Sequence, residues 1–125
     1  MIVPILKQEQ FLIASIQGEL TDQELLLLRD QLVDKVRQYR SRGVLIDVTV
    51  LDIMDSFAAR TLRSIAHMTR LLGAQTIVAG IQPDVAISMV QLGLSLEDTI
   101  VAMDLEDGLA ILRKGARSND ADGRT

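Results

Sequence analysis

Apolar residues form two kinds of pattern along this chain, short runs and a longer helical repeat. The short runs predict strands. Short apolar runs at residues 2–6 and 11–17 flank four polar residues, which predicts a β-hairpin at the start of the fold. Residues 44–48 are rich in β-branched side chains without alternation, as in a strand buried on both faces of a parallel sheet. Residues 75–80 and 99–102 predict two more strands.

The second pattern, in which apolar residues recur with a period near 3.6 residues, predicts helices between and after these strands. The first helix begins at Thr21, because Thr21 and Glu24 have the spacing of a capping box, and Gly43 is predicted to end it. Residues 57–72 form the second helix, in which apolar positions recur at steps of three and four.

Two further helices are predicted in the second half of the chain. Pro83 suits the first position of a helix because proline has no N–H to leave unpaired there. Val85, Met89 and Leu92 are predicted to form the core stripe of this third helix. A last helix is predicted to begin at Asp104.

The resulting order is β-β-α-β-α-β-α-β-α, which predicts an α/β fold with a mostly parallel central sheet, an opening β-hairpin and about four helices. A length of 125 residues suits one domain with one core. We expect that domain to span residues 1–114. Residues 115–125 are polar and lack periodicity, so they are predicted to form a flexible polar tail.

Composition narrows the possible functions. Hydrophobic residues make up 48% of the chain but aromatic residues only 2%, and the net charge is −4. Single-stranded nucleic-acid binding uses aromatic platforms and a basic groove, so no nucleic-acid partner is expected. No apolar run approaches the length of a membrane span, and the first residues lack the pattern of a secretory signal. We therefore expect a cytoplasmic protein without a membrane partner.

Residues that usually carry catalysis are scarce. The chain has no cysteine and one histidine, and it lacks both the dinucleotide-binding and the P-loop glycine patterns. We therefore expect no catalytic residue, no metal and no cofactor. Asp47 lies at the end of a predicted strand and could accept a phosphate in a receiver-like domain, but the acidic pair and the lysine of such a site are missing. Asp47 is interpreted as a structural residue.

Residues 52–57 stand out where a strand pattern changes into a helix pattern. Asp55 is suited to cap the second helix, which would leave the hydroxyl of Ser56 free at the first helical position. A phosphate there would face unpaired N–H groups and the positive end of the helix dipole. Asp52 makes this corner more negative, and Met54 and Phe57 are predicted to form an apolar rim. Alternatively, Ser56 is itself the N-cap.

Residues 44–49 and 51–56 together resemble the signature of STAS domains, the family of anti-sigma-factor antagonists, in which a strand ending in Asp leads to Asp-Ser at a helix start. The resemblance continues through residues 91–94 and 104–109, and it covers about residues 2 to 114. Many family members continue with a glycine two residues after this serine. Here residues 57–60 read Phe-Ala-Ala-Arg, which resembles the single-domain STAS antagonists of the bacterial stressosome.

This resemblance implies a phosphoswitch. A serine/threonine switch kinase would phosphorylate Ser56, and the unmodified protein would hold that kinase while assembling with larger STAS-domain paralogues as a homo- or hetero-oligomer. Besides Asp55, the partner-binding residues would be Asp52, Met54, Phe57 and Arg60. Two alternatives stay open: an anti-anti-sigma factor that binds an anti-sigma kinase, and a small-ligand domain or enzyme that uses the loop around Asp47 and Asp55.

Overall fold

The computed structural model describes residues 3–97 and 99–122, and these form five strands and four helices in the predicted order. The strands are β1 (Ile5–Gln8), β2 (Phe11–Ser15), β3 (Gly43–Asp47), β4 (Gln75–Ala79) and β5 (Ile100–Ala102). The helices are α1 (Asp22–Tyr39), α2 (Ser56–Leu71), α3 (Pro83–Gln91) and α4 (Leu105–Asp122).

The five strands form one sheet in the order β1-β2-β3-β4-β5. The β1–β2 hairpin is antiparallel, and every other neighbouring pair is parallel. The predicted α/β fold class, with a mostly parallel sheet and an opening hairpin, is therefore confirmed. Because the strands β3, β4 and β5 run in one direction, their carboxyl ends and the loops that follow them lie at the same edge of the sheet.

The sheet is buried on both faces. Alternate side chains of β3 point to opposite sides, so Val44 and Ile46 belong to one core cluster and Leu45 to another. The first cluster includes buried residues of α1, α2 and α3, and the second includes Leu109 and Leu112 of α4. Three helices thus cover one face and α4 covers the other.

The capping box at the start of α1 is confirmed, but the predicted end is wrong. Glu24 N–H donates to the Thr21 hydroxyl at 3.1 Å, and Thr21 N–H donates back to Glu24 Oε1 at 2.9 Å. Arg40, not Gly43, adopts the left-handed conformation that ends α1, with φ 51°. Gly43 begins β3, where a Cβ atom would lie 2.5 Å from Leu112 Cδ2. The glycine therefore permits the close approach of α4.

The ends of α3 and α4 differ from the sequence prediction. Leu92 is exposed, because it lies beyond the last turn of α3 next to the left-handed Gly93, so its assignment to the core stripe is wrong. Helix α4 extends to Asp122, past the domain boundary predicted at residue 114. That boundary and the flexibility of the tail stay predictions, and residues 123–125 lie outside the described residues.

Candidate functional site

The loop between β3 and α2 positions Ser56 at the carboxyl edge of the sheet. Asp55 is the N-cap of α2: its backbone is extended, and its Oδ1 accepts a hydrogen bond from Ala58 N–H at 2.8 Å. Ser56 is the first residue of the helix and its side chain is exposed. The predicted assignment of the cap to Asp55 is confirmed, and the alternative that Ser56 is the N-cap is wrong. The Ser56 hydroxyl is accordingly not used to cap the helix.

Asp47 holds the start of this loop. Its Oδ1 accepts hydrogen bonds from Thr49 N–H at 3.0 Å and from the Thr49 hydroxyl at 2.6 Å. The carboxylate thus closes a turn immediately after β3, which agrees with the structural role predicted for it.

The segment before α3 supports the loop from the other side. Gln82 Nε2 donates to the carbonyl oxygen of Thr49 at 2.8 Å. Gly80 has φ +83°, a conformation that favours glycine, and a Cβ atom there would overlap the Thr49 side chain. The loop is therefore fixed by both the strand that precedes it and the β4–α3 connection.

The apolar rim differs from the one predicted. Met54 is only 4% exposed and lies in the core cluster, so its prediction as an exposed rim residue is wrong. Val50 and Ile53, which the sequence reasoning missed, are 54% and 59% exposed. The sequence does carry a signal for the burial of Met54. Met54 directly precedes the N-cap, and Ala59 is the fourth helical residue, and these are the two positions of a hydrophobic staple. Both are buried in the same cluster.

The other predicted residues surround Ser56. Asp52, Asp55 and Arg60 are exposed, whereas Phe57 is half-buried. Arg60 follows Ser56 by four residues, so both lie on the same side of α2. The corner therefore combines exposed carboxylates, one helix N-terminus, one cation a turn further on, and two exposed aliphatic side chains. We call this group of residues (Val50, Asp52, Ile53, Asp55, Ser56, Phe57 and Arg60) the switch corner.

The cavities of the described residues do not place a ligand site at the switch corner. The cavity that Ile53 and Asp55 help to line holds about 30 Å³, far below the roughly 300 Å³ of the smallest usual ligand pockets. A cavity of about 640 Å³ lies at the opposite edge of the sheet, where Gln75 and Ile100 begin their strands. Among the described residues, the switch corner is thus an exposed surface beside a cavity too small for a usual ligand.

Residues 3–97 and 99–122 contain no group of three or more His, Asp or Glu side chains placed to hold a metal ion. None of the helices described there combines the length and the apolar character needed to cross a membrane.

Comparison with known proteins identifies relatives of the whole fold. The STAS domain model matches residues 3–107. The RsbT co-antagonist protein RsbRA of Bacillus subtilis (strain 168) is 29% identical over 101 residues, which are 81% of this chain and 37% of that protein. This chain spans about a third of the length of the first three curated relatives that it matches.

Solved structures agree with this match. A serine-to-glutamate variant of RsbS from Moorella thermoacetica is 33% identical, with a TM-score of 0.80 over 92% of this chain and 97% of that one. A chain in a structure described as the molecular architecture of the stressosome, a signal integration and transduction hub, is 30% identical. Its TM-score is 0.74, with 91% of this chain and 99% of that chain covered.

Proposed function

This chain belongs to the STAS domain family, and we propose that it is a non-enzymatic phosphoswitch antagonist of a bacterial stressosome. In this proposal, unmodified Ser56 permits a serine/threonine switch kinase to bind at the switch corner, and phosphorylation of Ser56 releases that kinase. The similarity to RsbS and to a stressosome chain, each over more than nine-tenths of this chain, supports the assignment to this branch of the family.

The observation that carries the proposal is the position of Ser56. Its side chain is exposed at the first residue of α2, and Asp55 rather than Ser56 provides the cap. A kinase can therefore reach the hydroxyl without breaking the helix start. A phosphate at this position would lie near the positive end of the helix dipole, so the fold should tolerate it.

Phosphorylation would change the charge of the switch corner strongly. It adds about −1.5 to −2 charges at neutral pH. Asp52 and Asp55 already make the surface negative, and Val50 and Ile53 provide the apolar contacts that a bound kinase would cover. Unbalanced charge inside a desolvated contact costs roughly 2–5 kcal/mol. A loss of 2 kcal/mol already weakens binding about thirtyfold, which is enough to release a partner.

The remaining partner-binding residues have distinct roles in this proposal. Phe57 is half-buried and adds one apolar edge to the contact, while exposed Arg60 meets an acidic group of the kinase or steadies the phosphate. Met54 is buried and does not contact the kinase in this proposal; it holds the loop to the core.

We also propose that the chain assembles with larger STAS-containing paralogues in the cytoplasm. RsbRA is similar to this chain over only about a third of its own length, so a protein of that kind carries much additional sequence beside the matching domain. The chain described here would supply a single switch domain to such an assembly, without a cofactor.

Mapping the modified residue tests this function. The protein would be incubated with ATP and a lysate of its source organism, and phosphopeptides would be identified by mass spectrometry. We expect phosphate on Ser56, none anywhere in Ser56→Ala, and unchanged modification in Ser88→Ala, which replaces an exposed serine of α3. Phosphate on another residue, with Ser56 unmodified, would contradict the proposal.

A pull-down separates this proposal from the anti-anti-sigma alternative. Tagged Ser56→Ala protein should retain a serine/threonine kinase that does not itself bind a sigma factor. Recovery of a kinase that also binds a sigma factor would favour the alternative.

A further inference from the structure

A cavity of about 640 Å³ lies at the edge of the sheet where β4 and β5 begin, opposite the switch corner. It is lined in part by Arg42, Arg70, Ile100, Leu112 and Gly115, and we call it the amino-edge cavity. Its volume is within the roughly 300–1,000 Å³ of usual small-molecule pockets. The amino-edge cavity is therefore large enough for a small ligand, whereas the cavity at the switch corner is not.

The cationic part of the amino-edge cavity consists of two arginines. Arg42 directly precedes β3, and Arg70 lies in the last turn of α2. The described residues that line the cavity include no Asp or Glu, although the whole chain has a net charge of −4. A guanidinium group has several N–H donors in a plane that matches carboxylate and phosphate oxygens, so it can bind an anion while it keeps another contact. The side chains that line this cavity therefore favour a negatively charged ligand.

Backbone hydrogen bonds bring the two arginines to the same edge of the cavity. Gly73 N–H donates to the carbonyl oxygen of Arg70 at 3.0 Å, and Gln75 N–H donates to the carbonyl oxygen of Arg42 at 3.0 Å. Both arginines are thus held to one short segment, residues 73–75, which leads from α2 into β4. Because these N–H groups are already paired within the fold, recognition of an anion must come from the arginine side chains.

One wall of the amino-edge cavity is apolar. Leu112 is buried in the core cluster on the α4 side of the sheet, and Ile100 and Ala116 pack against that cluster. All three residues line the cavity. A ligand that contacts both this wall and the arginines needs an apolar body as well as an anionic group.

Gly115 keeps the amino-edge cavity open, although packing does not require a glycine there. It lies inside α4, where glycine is less favourable than alanine. Gly108 of the same helix has a structural reason, because a Cβ atom there would lie 2.5 Å from Leu45 Cδ1. Among the described residues, a Cβ atom at Gly115 would meet only Gln75 Oε1, at an ordinary distance of 3.6 Å. The missing side chain at Gly115 therefore enlarges the cavity without serving the core.

We propose that the amino-edge cavity binds a small amphipathic organic anion. In this site, Arg42 and Arg70 hold the carboxylate or phosphate group of the ligand, and the wall at Ile100 and Leu112 covers its apolar body. Gly115 provides the room that this body occupies. The site goes beyond the phosphoswitch: it lies at the other edge of the sheet and does not require modification of Ser56.

A titration followed by backbone amide NMR signals tests the site on the whole chain. Hexanoate and hexyl phosphate are the probes, and hexanol and hexylammonium are controls with the same apolar body. Both anions should shift the signals of Gly73 and Gly115 in a saturable way, and should leave those of Gly80 and Gly93, which lie outside the described lining, unchanged. Each control should bind at least about tenfold more weakly than the tighter anion, because it lacks the anionic group that accepts charge-assisted hydrogen bonds. The ratio between the two anions identifies the preferred anionic group.

Arginine variants test whether the charge of the cavity binds the anion. Arg42→Gln and Arg70→Gln should each weaken binding of the tighter anion at least about fivefold, because each removes a guanidinium group. The matched control is Arg63→Gln, which removes an arginine about two turns earlier on α2 and outside the described lining of the cavity. Its affinity for the anion should equal that of the wild type.

A filled cavity tests the position of the ligand. Gly115→Leu places a side chain in the space that the ligand would occupy, and should weaken binding at least about tenfold. Its melting temperature should not fall below that of the wild type, because leucine is more favourable than glycine within a helix. Gly115→Ala adds one methyl group without a close contact, so it should fold equally well and weaken binding less than Gly115→Leu.

Several results would overturn the site. Neither anion could produce a saturable shift at Gly73 and Gly115, hexanol could bind as tightly as both anions, or Arg63→Gln could weaken binding as much as Arg70→Gln. A folded Gly115→Leu protein that binds with wild-type affinity would overturn it as well. These outcomes are distinct from the failure of the phosphoswitch, because phosphorylation of Ser56 can be measured on the same Gly115→Leu protein and should be unchanged.

Discussion

Asp55 and Ser56 are adjacent, but they have different functions at the start of α2. Asp55 stabilises the helix by accepting the Ala58 N–H hydrogen bond, and this leaves the Ser56 hydroxyl exposed for modification. If Ser56 itself capped the helix, its hydroxyl would be engaged with a backbone N–H group and less open to a kinase. The separation of cap and acceptor lets the charge of the surface change while the helix stays formed.

Removal of the cap should cost stability, whereas removal of the acceptor should not. We expect Asp55→Ala to lower the free energy of unfolding by about 1 kcal/mol, the usual value of an N-cap. Ser56→Ala, and Asp52→Ala as an exposed acidic control, should change it by less than about 0.5 kcal/mol. Urea denaturation measures all three. A larger loss in Ser56→Ala than in Asp55→Ala would show that the serine is the cap.

Met54 and Ile53 should also differ, although they are neighbours of similar size. Met54→Ala removes a buried side chain and should destabilise the protein by roughly 2–5 kcal/mol. Ile53→Ala changes an exposed side chain, so its effect on stability should be within about 0.5 kcal/mol, but it should weaken kinase binding. Denaturation and calorimetric titration with the kinase separate the two effects. Equal destabilisation by both changes would contradict the burial difference.

At the scale of the elements, the start of the β3–α2 loop is held by contacts with β3 and with the β4–α3 connection. Asp47 closes its first turn, and Gln82 binds the Thr49 carbonyl from the start of α3. Gly80 lets the β4–α3 connection approach Thr49 closely. Because of these contacts, the position of Ser56 depends on residues far from it in sequence.

A substitution at Gly80 should therefore cost more than the same substitution at Gly93. Both glycines have positive φ, so alanine at either site should cost about 1–2 kcal/mol of backbone strain. A Cβ atom at Gly80 would also overlap Thr49, whereas the space around Gly93 is open within 4 Å. We expect Gly80→Ala to cost at least about 1 kcal/mol more than Gly93→Ala. Thermal denaturation compares them, and equal losses would mean that the loop contact is unimportant.

The sequence predicted the starts of helices well, because a helix start depends on residues close to it along the chain. The capping box at Thr21 and the proline at the start of α3 depend only on nearby backbone groups. The role of Gly43 could not be predicted this way, because the need for glycine there comes from Leu112 in a distant helix. Met54 and Ile53 look alike in a short apolar loop, and only the contact with the core distinguishes them.

The candidate site likewise combines features that depend on neighbouring residues with features that depend on distant parts of the fold. Helix-start chemistry predicted that the helix begins here but left Asp55 and Ser56 both possible as the N-cap, and the structure assigns the cap to Asp55. The exposure of Val50 and Ile53 depends on how the loop crosses the end of the sheet, which no local pattern records.

At the scale of the whole molecule, phosphorylation acts on a chain that is already negative. The net charge of −4 would become about −6 with a fully charged phosphate. Added negative charge beside Asp52 and Asp55 would repel an acidic partner surface and disturb the apolar contacts that surround it. The switch therefore acts through the surface potential and does not require a different fold.

Salt should reveal this electrostatic contribution in the unmodified protein. The association rate with the kinase should rise with ionic strength, because salt screens the repulsion between an acidic partner surface and the exposed carboxylates of the switch corner beyond about 10 Å at 0.1 M salt. Asp52→Asn should make that dependence shallower, while Asp84→Asn, at the start of α3, should have a smaller effect. Stopped-flow measurements at several salt concentrations give the slopes. Identical slopes in the wild type and Asp52→Asn would argue against a role of this carboxylate.

The most direct measurement compares the affinity of the switch kinase for two forms of the same protein. Calorimetric titration of the unmodified chain and of the chain fully phosphorylated on Ser56 gives both dissociation constants. Our account predicts binding at least about thirtyfold weaker for the phosphorylated form, corresponding to a loss of 2 kcal/mol or more. Equal dissociation constants for the two forms would contradict it.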